Sequence, residues 1–367
     1  MKNIELVIVK YNNKTVGYLK QLENNRIAFQ YADMWIKNGF SISPFSLPLT
    51  NDVFVAKMEP FNGLYGVFYD SLPDGWGELL IKKMLIKKGI NPSSVSELTK
   101  LTLIDEYGLG GLNYHPTNQE LIDKNIKATF DELYLSSKQL LEDNDDTNFD
   151  VIYNYASSSG GTRPKANVLI KEEPWIVKFP SRFDSKKIAK EEYLANTLAK
   201  ECGINVATFD LIPSKINDGY FASKRFDRVN GKKIHTVSLA SLLETPYDVP
   251  TLDYYNLFQV IKRICVDTQN NMMEAFKRMC FNVFCFNKDD HGKNFSFIYD
   301  EEKGGYILSP AYDLTILKQK SEHEMSVNGN GNPTKQDLLD IAKSFNLPMN
   351  ECKKIVAVIE EKCKDIK

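Results

Sequence analysis

The feature that most constrains the fold is a polar break between a helical pattern and a strand pattern in the last third of the chain. Residues 272–286 are strongly apolar, and the run ends at Asn287-Lys-Asp-Asp-His-Gly292. Residues 295–299 then alternate between apolar and polar side chains, which is typical of a strand. The pattern predicts a buried helix, a polar loop and a strand, and such a loop can expose Asp289 and Asn294 at the floor of a cleft.

Asp289 and Asn294 have a spacing that suits phosphoryl transfer. That reaction needs a carboxylate to orient the attacking hydroxyl and an oxygen ligand for Mg²⁺, and protein kinases place Asp and Asn at this separation in one loop. Downstream, Asp313 follows a predicted strand that starts at Tyr306, where kinases hold a second metal ligand. The alternative interpretation is a polar turn at Asp289 and a turn cap at Asp313.

A predicted strand and helix upstream carry a lysine and a glutamate suited to a nucleotide site. Residues 175–179 predict a strand that contains Lys178, and residues 185–202 predict a helix. Glu192 falls on the apolar stripe of that helix, although carboxylates are rarely buried without a partner. We therefore predict a Lys178–Glu192 pair, as in kinases. The alternative is a strand lysine that only reaches solvent.

A serine- and glycine-rich segment, Ser157-Ser-Ser-Gly-Gly-Thr-Arg-Pro-Lys165, precedes the strand that carries Lys178. Its two glycines allow backbone amides to approach a phosphate, and its Arg and Lys add positive charge. It is neither a Walker loop nor the kinase Gly-x-Gly-x-x-Gly loop, and a flexible turn is the alternative. The order of glycine loop, strand lysine, helix glutamate, Asp-x₄-Asn loop and final Asp nevertheless predicts an ATP-dependent kinase core.

The first part of the chain predicts a small β-rich region. Residues 4–9, 15–19 and 26–30 alternate at period two, and Asn-Asn pairs supply turns between them, which indicates an antiparallel sheet. A helix is predicted over 78–88, where Gly89 ends it.

Further elements complete the fold prediction. Thr129 and Glu132 form a capping-box pattern that opens a helix through about Leu141, and the acidic segment 142–150 predicts a linker. Strands are also predicted over 165–170 and 220–226, and helices from about Asp253 and over 335–345 and 350–362. We predict an α+β fold of the bilobal protein-kinase type: an N-terminal β-rich subdomain at 1–115, a region with the glycine loop, strand lysine and hinge at 116–228, and a helical lobe at 229–367.

Composition adds few constraints. Hydrophobic residues make up 43% and charged residues 26%, with a net charge of −2, which is ordinary for a globular protein and offers no basic excess for nucleic acid. The sequence shows neither a secretory signal pattern nor an apolar run of membrane-spanning length. The six cysteines lack the spacing of zinc sites and are predicted to be buried free thiols. We expect a cytoplasmic protein without a structural metal or a membrane partner.

The sequence resembles the HipA family of bacterial toxin kinases over nearly its whole length. The resemblance rests on motifs in the order Leu72-Pro-Asp-Gly-Trp-Gly77, Ser158-Ser-Gly-Gly-Thr-Arg-Pro-Lys165, Val177-Lys-Phe-Pro180, Glu192-Tyr193 with Ala199-Lys-Glu201, Lys224-Arg-Phe-Asp-Arg228, Asp289-Asp-His-Gly-Lys-Asn294 and Tyr312-Asp313.

The resemblance implies a role for each matching residue. Asp289 is then the catalytic aspartate, Lys178 the ATP-phosphate lysine supported by Glu192, and Asn294 and Asp313 the Mg²⁺ ligands. The nucleotide-binding residues that it implies are Gly160, Gly161, Arg163, Lys165, Lys178, Lys224, Phe226, His291 and Lys293. Ser158 is implied to be the autophosphorylated serine that turns the kinase off, with Ser157 and Ser159 as alternatives. Lys224 departs from the acidic residue usual at the family's hinge.

The resemblance also implies a biological role. Such a protein is an ATP-dependent serine/threonine kinase and the toxin of a type II toxin–antitoxin module. It phosphorylates a protein of translation, for example an aminoacyl-tRNA synthetase. A HipB-like helix-turn-helix antitoxin neutralises it and makes most of the contacts to operator DNA. The alternatives are a small-molecule kinase of the aminoglycoside or choline type, and a catalytically inactive module that docks an antitoxin and DNA.

Overall fold

The structure is a computed structural model that describes residues 2–104, 108–117, 128–142, 149–156 and 160–366. The chain forms two compact units. The first comprises Met1–Lys190, Asp210–His235 and Ser241–Glu244, and the second Glu191–Phe209, Thr236–Ala240 and Thr245–Lys367. The domain boundaries at 115 and 228 stay a prediction. Among the described residues, no helix is both long and apolar enough to cross a membrane.

The first unit contains an antiparallel sheet with the strand order β4-β3-β2-β1-β5. Its strands are β1 (Leu6–Tyr11), β2 (Lys14–Gln21), β3 (Ile27–Tyr31), β4 (Phe54–Val55) and β5 (Leu112–His115). The three strands predicted from the alternating runs are confirmed. Asn12 and Asn13 both have positive φ, 44° and 68°, as the tight turn of a β-hairpin requires. β5 was not predicted, because it pairs with β1 from about 100 residues away.

Helices of the first unit surround its sheets. They are α1 (Asp33–Asn38), α2 (Gly66–Tyr69), α3 (Gly75–Lys87), α4 (Glu97–Leu101), α5 (Phe130–Leu141) and α6 (Phe149–Ala156). The capping box at the start of α5 is confirmed, since Thr129 and Glu132 each bond the other's backbone N–H. α3 begins three residues earlier than predicted, directly after Asp74. Residues 143–148 of the predicted linker lie outside the described residues, and α6 follows them.

A second sheet in the first unit has the order β6-β7-β9-β8. Its strands are β6 (Lys165–Ile170), β7 (Glu173–Lys178), β8 (Phe209–Ile212) and β9 (Tyr220–Lys224), and a small hairpin of β10 (Arg228–Val229) and β11 (Lys232–Lys233) follows. One face buries Ala166, Val177, Phe179 and Tyr220 against Leu133 of α5. The predicted strand pair β6–β7 is confirmed, and it fixes the position of Lys178.

The second unit is mainly helical. It contains the sheet β12 (Thr236–Ser238), β13 (Ser296–Asp300) and β14 (Gly305–Leu308), together with α9 (Tyr254–Ile264), α10 (Thr268–Phe284), α11 (Lys335–Ser344) and α12 (Met349–Cys363). α7 (Ile188–Glu201) and the short α8 (Leu239–Leu242) each have residues in both units. α10 packs against α9 and α12. The predicted sequence of apolar helix, polar loop and strand is confirmed as α10, residues 285–295 and β13.

The prediction of free cysteines was wrong at two positions, because Cys285 and Cys363 form a disulfide. Cys285 directly follows α10 and Cys363 ends α12, and these two helices pack together. Only this tertiary contact brings the two thiols together, since 78 positions separate them in the sequence. Cys202, Cys265, Cys280 and Cys352 are buried free thiols, and burial raises the pKa of Cys265 to about 12.

Glu244 gives the first unit a pH-dependent stability. Burial raises the pKa of its carboxyl group from 4.5 to about 7, although the Gly66 N–H donates to both carboxylate oxygens. The folded chain therefore binds more protons than the unfolded chain between these two values, and its stability falls as pH rises through that window. We expect Glu244→Gln to remove this dependence. Relative to wild type, its free energy of unfolding should rise by about 3 kcal/mol between pH 4.5 and 7 and then level off.

Urea unfolding at several pH values measures this difference. Glu23→Gln is the matched control, because Glu23 is an exposed glutamate of the same unit and its variant should follow the wild-type pH profile. A Glu244→Gln profile that runs parallel to wild type would contradict the prediction.

Candidate active site

The conformation of the loop that carries Asp289 is stabilised by hydrogen bonds between its side chains and its backbone, and by close packing at Gly292. The Asn294 amide nitrogen donates to the Asp289 carbonyl at 2.7 Å, and the Lys293 N–H donates to His291 Nδ1 at 3.2 Å. A Cβ atom at Gly292 would lie 2.6 Å from Leu252 Cδ1, so a larger residue there would have to displace the Leu252 side chain. The loop thus fixes the Asn294 side chain to the Asp289 backbone, and both residues lie in the polar loop that the sequence predicted.

Asp313 is held beside this loop by contacts on both sides of it. The Tyr312 hydroxyl donates to the Lys293 carbonyl at 2.5 Å, and the Thr315 N–H donates to Asn287 Oδ1 at 3.2 Å. Asp313 itself has a φ of 55°, in the left-handed region that non-glycine residues use sparingly and that is enriched at functional sites. The chain segment around Asp313 therefore lies next to the loop of Asp289 and Asn294 in the second unit.

The two adjacent aspartates of the loop have different environments. The side chain of Asp289 is 42% exposed, whereas Asp290 is 1% exposed. The Asp290 carboxylate accepts from Tyr254 Oη at 2.8 Å and lies 3.0 Å from His323 Nδ1. Burial, followed by the charge of Asp290, raises the pKa of Tyr254 well above its ordinary value. Asp290 is therefore a structural centre, and Asp289 is the aspartate that a substrate can reach.

Asn294 and Asp313 fit a magnesium ion in their chemistry. Amide and carboxylate oxygens are ligands that Mg²⁺ accepts, and Mg²⁺ usually takes one or two such protein ligands together with water and substrate phosphates. Because the Asn294 amide nitrogen is engaged by the Asp289 carbonyl, its oxygen is the atom left to serve as a ligand. In the described part of the chain, no group of three or more His, Cys, Asp or Glu side chains is arranged to hold a metal ion.

Two lysines of the first unit lie directly opposite each other on neighbouring strands. Lys165 of β6 pairs with Lys178 of β7 in the antiparallel register, so both side chains leave the same face of the sheet. Two neighbouring lysine side chains can bind the oxygens of an anionic ligand such as a triphosphate. The Lys178 Nζ also lies 5.6 Å from the centre of the Phe221 ring.

The glycine loop is fixed by a segment that sequence reasoning did not connect with it. Gly161 donates its N–H to Asp74 Oδ1, and Trp76 donates its N–H to the Gly161 carbonyl at 2.9 Å. A Cβ atom at Gly75, where φ is +45°, would lie 2.7 Å from the Gly161 oxygen. The Leu72–Gly77 motif therefore shapes the loop that contains Gly160 and Gly161. Ser157, Ser158 and Ser159 lie outside the described residues.

Other predicted nucleotide-binding residues have carboxylate or aromatic partners. The Arg163 guanidinium pairs with Asp184 at 3.2 Å, and Lys224 pairs with Glu173 at 3.1 Å. In the second unit, the Lys293 ammonium lies 4.3 Å from the centre of the Tyr247 ring. His291 is half-buried and accepts the Lys293 N–H, and Phe226 is half-buried at the end of the hinge segment. Their contact with a nucleotide stays a prediction.

Glu192 is buried on α7, as its place on the apolar stripe predicted, and the adjacent Glu191 is exposed. Glu192 is 4% exposed, and carboxylates that are buried to this extent are generally paired. Lys178 and Glu192 belong to different compact units, and the pair predicted between them stays a prediction.

Comparison with known proteins assigns the fold and the family. The chain is similar to HipA of Shewanella oneidensis, solved in a complex of the toxin–antitoxin proteins HipA and HipB with operator DNA, with 18% identity and a TM-score of 0.71 over 98% of this chain and 90% of that one. Its α+β fold is therefore the kinase-like fold of HipA. The HipA N-terminal domain model matches residues 7–115, and the HipA-like C-terminal domain model matches residues 157–366. The chain belongs to the HipA family.

Curated relatives agree with this assignment. The "Putative kinase Y4dM" of Sinorhizobium fredii is 24% identical over 345 residues, which cover 89% of this chain and 81% of that protein. A protein of Haemophilus influenzae, also named as a kinase, is 29% identical over 187 residues, covering 45% of this chain and 54% of its own length.

Proposed function

We propose that the protein is a HipA-type serine/threonine protein kinase that uses ATP and Mg²⁺. The observation that carries the proposal is the loop of the second unit that contains Asp289. There, Asp289 is partly exposed and its backbone carbonyl accepts from the Asn294 side chain. Hydrogen bonds from Tyr312 and Thr315 hold the segment of Asp313 against the same loop. Membership of the HipA family and similarity to relatives named as kinases support the same activity.

In the proposed reaction, Asp289 accepts a hydrogen bond from a serine or threonine hydroxyl and orients it toward the γ-phosphorus of ATP. The hydroxyl oxygen forms a bond to that phosphorus as the bond to the β–γ bridging oxygen breaks, and ADP leaves. The hydroxyl proton passes to the Asp289 carboxylate and then to water. Lys178 and Lys165, opposite each other on β7 and β6, hold the ATP phosphates as fixed positive charges.

Asn294 and Asp313 would hold Mg²⁺, which supplies charge neutralisation for the phosphate oxygens. Because the Gly161 N–H is engaged by Asp74, the backbone N–H of Gly160 would be the glycine-loop donor to those oxygens.

Regulation and partners are proposed from the family. Ser158 in the glycine loop is proposed as the autophosphorylated residue, and its modification would add negative charge where the phosphates of ATP must bind. The structure of the Shewanella oneidensis complex contains HipB and operator DNA. A HipB-like antitoxin that makes most of the contacts to DNA is accordingly the proposed partner. A protein of translation, for example an aminoacyl-tRNA synthetase, is the proposed substrate.

Incubating the purified protein with Mg·ATP, followed by mass spectrometry, tests the proposal. We expect a phosphate on the glycine-loop peptide, and its loss in Ser158→Ala with Ser157 and Ser159 intact. ADP release that depends on added aminoglycoside or choline, without protein phosphate, would favour a small-molecule kinase. Failure to bind Mg·ATP would favour an inactive docking module.

A further inference from the structure

A lysine outside every predicted motif lies against the proposed catalytic carboxylate. Lys320 Nζ is 3.3 Å from Asp289 Oδ1, and the same ammonium pairs with Glu324. The side chain of Lys320 is 32% exposed, so it is accessible to a substrate on the side of Asp289. Partial burial lowers the pKa of Lys320, but the bonds and charges of Glu324 and Asp289 outweigh it and raise the pKa, which keeps the side chain charged.

The segment that carries this lysine, residues 320–325, is anchored by the two neighbours of Asp289. On one side, the buried Lys288 donates from Nζ to the carbonyl oxygens of Lys320 and Ser321 at 2.9 and 3.0 Å. On the other side, the buried Asp290 accepts the N–H of Glu324 at 3.0 Å. Burying charged groups is costly unless they are hydrogen-bonded, and here both charged groups hold the same segment.

This anchoring distinguishes the Lys320–Asp289 pair from an ordinary surface ion pair. Exposed pairs between long side chains contribute little, because both partners are free to leave the contact. Here the backbone at Lys320 is fixed to residue 288, and the backbone at Glu324 is fixed to residue 290. The backbone that carries the ammonium is therefore held beside Asp289 by three separate contacts.

During phosphoryl transfer, the Asp289 carboxylate and the γ-phosphoryl group repel each other, and a neighbouring lysine can reduce this repulsion. An anionic carboxylate must approach a γ-phosphoryl group that is itself negatively charged, and the repulsion between them is strong in a partly buried site. Charge on the equatorial oxygens must be matched by fixed positive groups as the reaction proceeds. An ammonium 3.3 Å from the carboxylate lies where both anions can be neutralised at once.

We propose that Lys320 is a catalytic residue that contacts the γ-phosphoryl group during its transfer to the hydroxyl held by Asp289. The proposal rests on the phosphotransferase function proposed above. Lys320 remains an ammonium throughout. The oxygen–phosphorus bond to the acceptor forms, the β–γ bridge bond breaks with the release of ADP, and the hydroxyl proton leaves through Asp289. Lys288 and Asp290 act as positioning residues, since they hold the segment without touching the substrate.

Lys320→Met tests the inference, because methionine has a similar length and no charge. We expect kcat for ATP-dependent phosphorylation to fall about 10²-fold, while the KM for ATP stays within about threefold of wild type. Lys320→Arg should retain more of the activity than Lys320→Met. Lys318 is an exposed lysine two positions before Lys320, and Lys318→Met is the matched control that should behave as wild type.

A binding measurement separates a catalytic role from a structural one. The affinity for Mg·ADP should be unchanged in Lys320→Met, whereas the affinity for Mg·ADP with aluminium fluoride, which mimics the transferring phosphoryl group, should fall about 10²-fold. Equal loss of both affinities, wild-type activity, or activity above wild type would each overturn the inference while leaving the kinase proposal intact. A wild-type protein that neither binds Mg·ADP nor transfers phosphate would overturn the proposed function, and the inference with it.

Discussion

An Asp289→Asn protein is expected to fold normally and to lose phosphoryl transfer by about 10²–10⁴-fold. Asparagine has the shape of aspartate but cannot accept the proton of the attacking hydroxyl, so the nucleophile loses its orienting carboxylate. Steady-state phosphorylation with Mg·ATP measures the effect. The loss should lie in kcat, since the role proposed for Asp289 is to contact the hydroxyl and not the nucleotide.

The structure indicates that Asp289→Asn leaves the fold of the loop unchanged. The Asp289 side chain is 42% exposed, and the contact with Asn294 uses the Asp289 backbone carbonyl, which the variant retains. The side-chain partner that Asp289→Asn alters is Lys320, on the segment held in place by residues 288 and 290. A loss of activity in the variant can therefore be assigned to chemistry and not to unfolding.

Asp300→Asn is the matched control for this experiment. Asp300 also belongs to the second unit and also pairs with a lysine, Lys303, at 3.8 Å. Its variant should keep wild-type activity. Asp289→Asn activity equal to that of the control would show that the phosphate donor and acceptor are oriented by other groups.

Local patterns in the sequence predicted most of the regular structure. The strand predicted over 165–170 is β6, and the Thr129–Glu132 capping box begins α5 as expected. These predictions succeeded because hairpin registers and helix starts are decided by residues within a few positions of one another. The same local logic identified the loop of Asp289 and Asn294, since α10 and β13 define its two ends.

Features that depend on distant contacts could not be predicted in this way. The Cys285–Cys363 disulfide, the bond from Gly161 to Asp74 and the contact of Lys320 with Asp289 each join separate segments of the chain. The Asp-x₄-Asn spacing selected Asp289, but it did not show that the adjacent Asp290 lies in a different environment. Burial distinguishes them, because it depends on Tyr254 and His323 packing around one carboxylate and not the other.

The Arg-Phe-Asp-Arg segment, residues 225–228, has a structural role that its sequence pattern did not predict. Its charged side chains form a buried network in the first unit. Asp227 accepts from Arg225 Nε at 2.8 Å and from Arg228 Nη1 at 2.9 Å. It also accepts the Gly110 N–H at 2.9 Å, while Arg225 Nη2 donates to the Gly108 carbonyl at 2.9 Å. The contacts of Asp227 therefore give it a structural role, in which it joins the Arg-Phe-Asp-Arg segment to the loop before β5.

Asp227→Ala is accordingly expected to destabilise the protein by about 3–5 kcal/mol, because it leaves the guanidinium of Arg225 buried without its carboxylate. Burial alone would raise the pKa of Asp227, but the charges of Arg225 and Arg228 outweigh it and hold the pKa well below its ordinary value of 3.8. The stabilisation is therefore fully present above pH 3.8 and is lost as pH falls further. Unfolding in urea at pH 7 and at lower pH measures both the size of the effect and its direction.

Two further variants test whether Asp227→Ala destabilises the protein by breaking a charge pair, or whether any substitution in this part of the first unit lowers the free energy of unfolding. Asp218→Ala removes an exposed aspartate of the same unit and should change the free energy of unfolding by no more than about 0.5 kcal/mol. Arg225→Met combined with Asp227→Ala should be less destabilising than the sum of the two single changes, because the double variant no longer buries the Arg225 charge. If the changes in unfolding free energy were additive, Arg225 and Asp227 would stabilise the fold independently, in spite of their 2.6 Å contact.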